Sequence, residues 1–421
     1  MIKKILLART DAIGDAVLTL PCIEALHHHY PEADIYVYCT STTKPIFMHN
    51  PYVTEIIVEG KRSIFVESKR LKEYNFDLFI TFHKNDYYSF LSFLAGIKER
   101  VGFRDNWICR LFYTKSAVPP WRDALMHQID YNFVVLGLLG INTTKNKFRP
   151  KLYIPKPYKK ENRIAIAIDS RPLNRMWYEK GYVELIKLLI SKYKINIVLL
   201  GDEKAQDMAI RIENEIRNNL LRVKAGSLSL ADTITEIASS SYFIGPDSGL
   251  MHIAASFGLP ILTFFIAKNQ QPARYAPFGC NYELIIPDYL CQKRCFNSAC
   301  KLDICKKKLY AKDLLSAFDN LINNQSTPYS KEKAAKSVFK LLYIGVNQST
   351  QEFMSIHSGN FFKPIKILRQ CVNYNINIVI STHKLLNILL EIFLPMFVPT
   401  YPVILENDVD IISQYKAYIK R

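Results

Sequence analysis

The stretch Leu6–Leu26, LLARTDAIGDAVLTLPCIEAL, contains a strand, a polar loop and a helix in immediate succession. The apolar run Ile2–Ala8 predicts a buried strand, and apolar residues at helical spacing predict a helix over Asp15–His29. The loop between them carries Arg9, Asp11 and Gly14. Repeated strand–loop–helix units build doubly wound parallel sheets, which bind ligands beyond the carboxyl ends of their strands.

The same alternation continues along the first 325 residues. Further strands are predicted at Asp34–Cys39, Val53–Glu59, Phe76–Phe82, Ile164–Asp169, Ile195–Gly201, Tyr242–Gly245 and Pro260–Phe265. Further helices are predicted at Met126–Gly140, Tyr182–Tyr193, Glu203–Asn219, Ala231–Ala238 and Gly249–Gly258. Between the two sets, Tyr153–Arg163 has two prolines and no apolar period, as is typical of a linker.

This pattern predicts an α/β fold of two doubly wound, Rossmann-like domains facing a cleft. We place the first domain at 1–155, the second at 156–325 and a mainly helical C-terminal extension of unknown role at 326–421. The extension could lie on a membrane surface or cover an apolar patch of the second domain.

Composition narrows the possible partners. Of 421 residues, 49% are hydrophobic and 22% charged, which excludes a disordered chain. The formal net charge of +17 favours an anionic partner, although a generally basic proteome would give the same surplus. Nucleic acid is disfavoured because no interleaved basic–aromatic motif occurs.

Targeting signals are not apparent. The first apolar run stops at Arg9 without a cleavage site, and Leu385–Val398 is interrupted by polar residues and a proline. We therefore expect a cytoplasmic protein with reduced cysteines.

Asp15 is the candidate general base. It follows Gly14 in the first turn of a predicted helix, where an ionised carboxylate facing a cleft could accept a proton from a hydroxyl. The alternative is that Asp15 or Asp11 only caps the helix.

A second polar turn lies in Tyr242–Pro260, YFIGPDSGLMHIAASFGLP. Asp247, Ser248 and Gly249 join a strand to a helix, and His252 lies one turn into that helix. Amide groups at a helix start bind anions, and a glycine allows a phosphate to approach closely. A simple helix cap would use the same residues.

A third stretch, DSRPLNRMWYEKGY (Asp169–Tyr182), follows the first strand of the second half. It carries Ser170, Arg171 and Arg175, and arginine binds phosphate oxygens in a bidentate manner.

In this order the three motifs resemble glycosyltransferase family 9, the lipopolysaccharide heptosyltransferase family, over roughly residues 1–322. The resemblance rests on the R-x-D-x-x-G-D loop (Arg9, Asp11, Gly14, Asp15) and the D-S-G-x-x-H turn (Asp247 to His252). It also rests on a basic residue, Arg175, shortly before Trp177. Two departures are Arg175, where the family often has lysine, and Tyr178, where it usually has proline.

The resemblance implies a GT-B fold and an inverting, metal-independent glycosyltransferase without a cofactor. It implies Asp15 as base, an acceptor-side loop of Arg9, Asp11 and Gly14, and a donor site of Ser170, Arg171, Arg175, Asp247, Ser248, Gly249 and His252. The expected partners are a nucleotide-diphosphate sugar such as ADP-heptose, a bacterial lipopolysaccharide (lipid A-core) acceptor and the cytoplasmic face of the inner membrane. Another nucleotide sugar, or a non-catalytic glycan-binding or scaffold relative, is the alternative.

Four clustered cysteines, Cys291, Cys295, Cys300 and Cys305, leave two possibilities open. They could hold a zinc ion, or they could be reduced and packed thiols, since their spacing is not the usual C-x₂-C.

Overall fold

Each half of the chain forms a six-stranded parallel sheet. The computed structural model describes residues 2–60, 62–83, 85–104, 107–120, 126–141, 147–155, 158–170, 175–267, 270–287 and 304–323. Along the chain, the order in the first sheet is 3-2-1-4-5-6, and the second sheet repeats that order with its own six strands. This is the Rossmann order, in which the switch point between the first and fourth strands opens toward ligands. The predicted fold class is confirmed.

The first sheet and its helices, here called the N-terminal lobe, occupy residues up to 141. Its strands are β1 (Lys4–Ala8), β2 (Asp34–Cys39), β3 (Glu55–Val58), β4 (Leu78–Thr81), β5 (Glu99–Phe103) and β6 (Lys115–Ala117). Its helices are α1 (Ile13–Val17), α2 (Leu20–His29), α3 (Lys44–Phe47), α4 (Ile64–Lys72), α5 (Asp86–Leu94), α6 (Trp107–Phe112) and α7 (Gln128–Gly137).

The second sheet and its helices form the C-terminal lobe. Its strands are β7 (Arg163–Ala167), β8 (Asn196–Leu200), β9 (Leu221–Val223), β10 (Tyr242–Pro246), β11 (Ile261–Phe264) and β12 (Tyr282–Ile285). Its helices are α8 (Glu179–Tyr193), α9 (Gln206–Ile216, after a 3₁₀ turn at Glu203–Ala205), α10 (Leu230–Ser239), α11 (Gly249–Ser256), α12 (Pro272–Tyr275), α13 (Ile304–Lys307) and α14 (Ala311–Ile322).

The predicted helix Asp15–His29 is wrong as a single element, because the structure divides it into α1 and α2. Pro21 lies in the first turn of α2, and its ring would clash with the carbonyl of Val17, where α1 ends. Asp15 therefore belongs to a five-residue helix. The predicted domain boundaries stay a prediction, and the extension 326–421 lies outside the described residues.

The two lobes share one apolar cluster. It runs from one face of the first sheet through α1 and α2, where Val17 and Leu20 are buried, to α11, where Met251 and Ile253 are buried. The opposite face of each sheet has a separate cluster of its own. The carboxyl-end loops of the two sheets are thereby brought together across a cleft.

Within the described ranges, no helix combines the length and the apolar character needed to cross a membrane.

Candidate functional site

A cavity of about 500 Å³ lies between the lobes and is lined by residues of both. Eight of the predicted site residues line it: Gly14, Asp15, Ser170, Arg175, Asp247, Ser248, Gly249 and His252. Three sequence motifs that are far apart in the chain therefore meet at one cavity. Arg171 lies outside the described residues.

On the N-terminal side, a buried arginine orients two carboxylates. Arg9 follows β1 and is only 2% exposed, and its Nε lies 2.7 Å from Asp11 Oδ1 while its Nη2 lies 2.9 Å from Asp15 Oδ1. Asp15 remains 23% exposed and lines the cavity. The guanidinium compensates both negative charges and fixes the direction of the Asp15 carboxylate.

The capping alternative for these carboxylates is wrong. The residue that precedes α1 is Ala12, and no side chain caps the helix. Burial raises the pKa of the Asp11 carboxyl, and the Arg9 charge opposes that shift.

On the C-terminal side, Asp247 is almost fully buried at the end of β10. Its Oδ2 accepts hydrogen bonds from Arg175 Nη1 and Gln270 Nε2, both at 3.0 Å. Ser170 Oγ donates to the main-chain oxygen of Asp247 at 2.6 Å. Burial raises the pKa of the Asp247 carboxyl, while the Arg175 charge and the Gln270 hydrogen bond lower it. Asp247 is thus a fixed anchor for the Arg175 side chain.

Two buried polar atoms beside this anchor have no partner among the described residues. They are Arg175 Nε and Ser248 Oγ. Ser248 occupies the cap position of α11, yet its hydroxyl makes no capping hydrogen bond, so the simple-cap alternative is wrong here as well. A diphosphate lying against the start of α11 would satisfy both atoms and gain the helix amides.

Two glycines allow the lobes to touch at the floor of the cavity. A Cβ at Gly14 would lie 2.9 Å from Cδ2 of His252, and a Cβ at Gly249 would lie 2.8 Å from Cβ of Ile13. His252 is buried at this contact. Burial lowers the pKa of its imidazole to about 3, and the charge of His127 contributes to that shift. The neutral imidazole of His252 therefore packs between the lobes.

Sequence reasoning missed two residues of the site. Gln270 holds Asp247, and Tyr275 in α12 lines the cavity. Burial raises the pKa of the Tyr275 phenol to about 12, and the Asp15 charge adds to that shift. Both residues lie after β11, which neighbours β10, so the sheet edge was the signal that could have found them.

A polar bridge between the lobes holds α12 in place. Arg274 Nε donates to Gln128 Oε1 at 2.7 Å, and the guanidinium lies 4.2 Å from the centre of the Tyr131 ring. The Nε2 of His127, just before α7, is 3.0 Å from the carbonyl oxygen of Ala276. These contacts fix the position of the adjacent Tyr275 relative to the N-terminal lobe.

Only one of the four clustered cysteines falls within the described residues. Cys291, Cys295 and Cys300 lie outside the described residues, whereas Cys305 lies in α13 and is partly buried. In the described part of the chain, no group of histidine, cysteine, aspartate or glutamate side chains is arranged to hold a metal ion.

Known proteins resemble this chain in sequence over most of the two lobes. The sequence profile described as glycosyltransferase family 9 (heptosyltransferase) matches residues 67–305, more than half of the chain. Lipopolysaccharide heptosyltransferase 3 of Escherichia coli is 24% identical over 288 residues, which are 61% of this chain and 81% of that protein. The lipopolysaccharide core heptosyltransferase OpsX of Haemophilus influenzae is 22% identical over 305 residues, 68% of this chain and 85% of that protein.

A solved structure shares the fold. The E. coli ADP-heptose LPS heptosyltransferase II superposes with a TM-score of 0.64 at 18% identity, covering 77% of this chain and 99% of the other. The two-lobed GT-B architecture is thus found in both chains.

Proposed function

The chain belongs to glycosyltransferase family 9, and from this premise we propose that it transfers heptose from ADP-heptose to the core of bacterial lipopolysaccharide or a related glycolipid. One observation supports the proposal most strongly. The partly exposed Asp15 lines the same cavity as Arg175 and Ser248, whose Nε and Oγ have no partner among the described residues. The names of the relatives suggest the sugar, the nucleotide and the acceptor.

The donor diphosphate would bind at the start of α11. The α11 amides, Ser248 Oγ and Arg175 Nε would donate to its oxygens, whereas the space beside Gly249 is taken by Ile13 of the N-terminal lobe. The nucleoside would extend toward the far end of the cavity, which Leu228, Leu230 and Thr233 line. Asp247 would accept a hydrogen bond from the donor sugar through its less occupied oxygen, Oδ1.

Asp15 would act as the general base. As the acceptor oxygen forms its bond to the anomeric carbon, its proton passes to the Asp15 carboxylate, and the bond from that carbon to the phosphate oxygen breaks. The nucleoside diphosphate leaves with the bonding electron pair. A single displacement of this kind inverts the anomeric configuration.

The negative charge that develops on the leaving diphosphate needs electrostatic stabilisation. Arg175 and the α11 amides would lie beside that charge in the proposed binding mode, so this chain's own residues could supply the stabilisation. We therefore expect turnover to be unchanged by a metal chelator. The net charge of +17 would suit work at an anionic membrane, and we place the enzyme peripherally at the cytoplasmic face of the inner membrane.

A calorimetric screen tests the proposal. Purified protein is titrated with ADP, GDP and UDP, and the best nucleotide is then supplied as its heptose and hexose conjugates together with lipopolysaccharide from a heptose-deficient strain. We expect selective binding of ADP and transfer of heptose with inverted configuration. Binding of lipopolysaccharide without transfer from any donor would support a glycan-binding or scaffold protein instead.

A further inference from the structure

A second polar cluster lies beside the catalytic loop, on the N-terminal lobe. It consists of Thr10, Glu59, His83, Tyr87 and Tyr88. Thr10 follows β1, Glu59 follows β3, His83 follows β4, and the two tyrosines begin α5. All five therefore lie at the carboxyl edge of the first sheet, where doubly wound sheets bind ligands.

A chain of hydrogen bonds runs through this cluster. Thr10 Oγ1 donates to Tyr88 Oη, which donates in turn to Glu59 Oε1 at 3.0 Å. The phenol thus bridges the catalytic loop and the end of β3. Glu59 is only half-buried, and the hydrogen bonds leave its second carboxylate oxygen to other donors.

His83 joins this cluster to the catalytic loop. Burial raises the pKa of both the Asp11 and the Glu59 carboxyl, and the His83 charge opposes the shift in each, so the imidazole lies within electrostatic range of both. Its Nδ1 is buried and has no hydrogen-bond partner among the described residues. A buried polar atom of this kind indicates that a further partner completes the site.

Aromatic rings form the wall of the cluster. The Tyr87 and Tyr88 rings pack edge to face with centroids 5.1 Å apart, and the His83 ring lies 5.7 Å from that of Tyr88. Tyr87 keeps part of its ring exposed. Aromatic rings bind the apolar C–H face of a sugar, while carboxylate and imidazole groups bind its hydroxyls.

We propose that Glu59, His83, Tyr87 and Tyr88 form the acceptor subsite and bind a hydroxyl-rich sugar ring next to Asp15. The ring packs on Tyr87, and its hydroxyls donate to Glu59 and pair with His83. The subsite rests on the proposed function, because it assigns a place to the acceptor of that transfer.

The chain provides a matched control at the other end of the same strand. Glu55 begins β3, and its Oε1 accepts from Tyr74 Oη at 3.0 Å, the same pair and distance as Glu59 and Tyr88. Glu55 lies at the amino edge of the sheet, away from the cavity. Glu55→Gln therefore tests for the loss of a carboxylate–phenol pair without touching the subsite.

The test is calorimetric binding of two probes, ADP and O-deacylated lipopolysaccharide from a heptose-deficient strain. We expect Glu59→Gln to weaken oligosaccharide binding about tenfold or more, because an acceptor contact is lost. Tyr88→Phe should also weaken it, because the phenol that positions Glu59 is removed. Both variants should leave ADP binding unchanged. Glu55→Gln should match the wild type for both probes.

Oligosaccharide affinity that is equal in wild type, Glu59→Gln and Glu55→Gln would overturn the subsite. Wild-type protein that binds ADP but not the oligosaccharide would overturn it too. A Glu59→Gln defect in a protein that neither binds ADP nor transfers sugar would support a sugar-binding site at this cluster and contradict the proposed function instead.

Discussion

The loops β1–α1 and β10–α11 are the same kind of unit, a buried strand that enters a helix through a polar turn, yet they hold their aspartates differently. Asp15 is held by Arg9 from its own loop and stays 23% exposed. Asp247 is 4% exposed and is held by Arg175 and Gln270, which come from distant parts of the chain. One carboxylate can meet a substrate proton, whereas the other fixes an arginine.

The difference follows from what surrounds each turn. α1 has five residues and ends before Pro21, so Asp15 lies near the open cleft. α11 has eight residues, most of them buried against both lobes, so the turn before it is enclosed. Enclosure desolvates Asp247 and makes its hydrogen-bond partners necessary. The same supersecondary unit can therefore supply a reacting group or a rigid anchor.

The largest expected effect is at the reactive carboxylate. Asp15→Asn should lower kcat about 10³-fold, because the acceptor hydroxyl loses its general base. Asp11→Asn is the matched control, since Asp11 pairs with the same guanidinium and is similarly exposed at 22%. Steady-state rates should show Asp11→Asn within about tenfold of the wild type, as for other partly exposed ion pairs. Equal losses in the two variants would contradict the role of Asp15.

The next largest effect is expected where the loops β1–α1 and β10–α11 touch. Gly14→Ala would place a methyl group against the buried His252 ring and push α1 away from α11. We expect kcat to fall about 100-fold, because the base and the donor would be misplaced by about 1 Å. ADP affinity, measured by calorimetry, should change little. Full turnover in Gly14→Ala would show that the closed contact is not needed.

Arg175→Gln should weaken ADP binding by about 10- to 100-fold, because it removes charged hydrogen bonds to the diphosphate. Arg175→Lys keeps the positive charge but not the planar guanidinium, so its affinity for ADP should lie between those of the wild type and Arg175→Gln. Calorimetry with ADP measures both variants. Wild-type affinity in Arg175→Gln would place the diphosphate elsewhere.

The smallest effect concerns stability and pH. Burial lowers the pKa of His252 to about 3, whereas an unfolded histidine has a pKa of about 6.5. The unfolded chain therefore binds the proton first, and stability falls as pH drops from about 6.5 toward 3. Between pH 7.5 and 5.5 the free energy of unfolding, measured with urea, should fall by about 1 kcal/mol. His252→Gln should lose less over this range, whereas the exposed His29→Gln should follow the wild type. Identical pH dependence in all three would contradict the buried, neutral imidazole.

The sequence predicted the fold class because the central strands carry strong apolar signals. β1, β4, β7 and β10 are almost entirely buried and consist mainly of apolar residues. Edge strands such as β6 and β9 were missed because each has only three residues, with a charged side chain among them. Three residues are too few to show a period.

For the site, the sequence predicted which loops meet but not how their side chains pair. Asp15 and Asp247 were found because each follows an apolar strand. The Arg9 ion pair and the Gln270 hydrogen bond depend on directions that only the folded chain sets. The division of α1 from α2 was missed because the apolar period continues through Pro21.

The most direct test of the account is a crystal structure of Asp15→Asn soaked with ADP-heptose. The account predicts the diphosphate against the start of α11, in contact with Arg175 Nε and Ser248 Oγ, and the side chain at position 15 facing the anomeric carbon across the cavity. A nucleotide bound away from α11, or a position-15 side chain turned into the protein's own main chain, would contradict it.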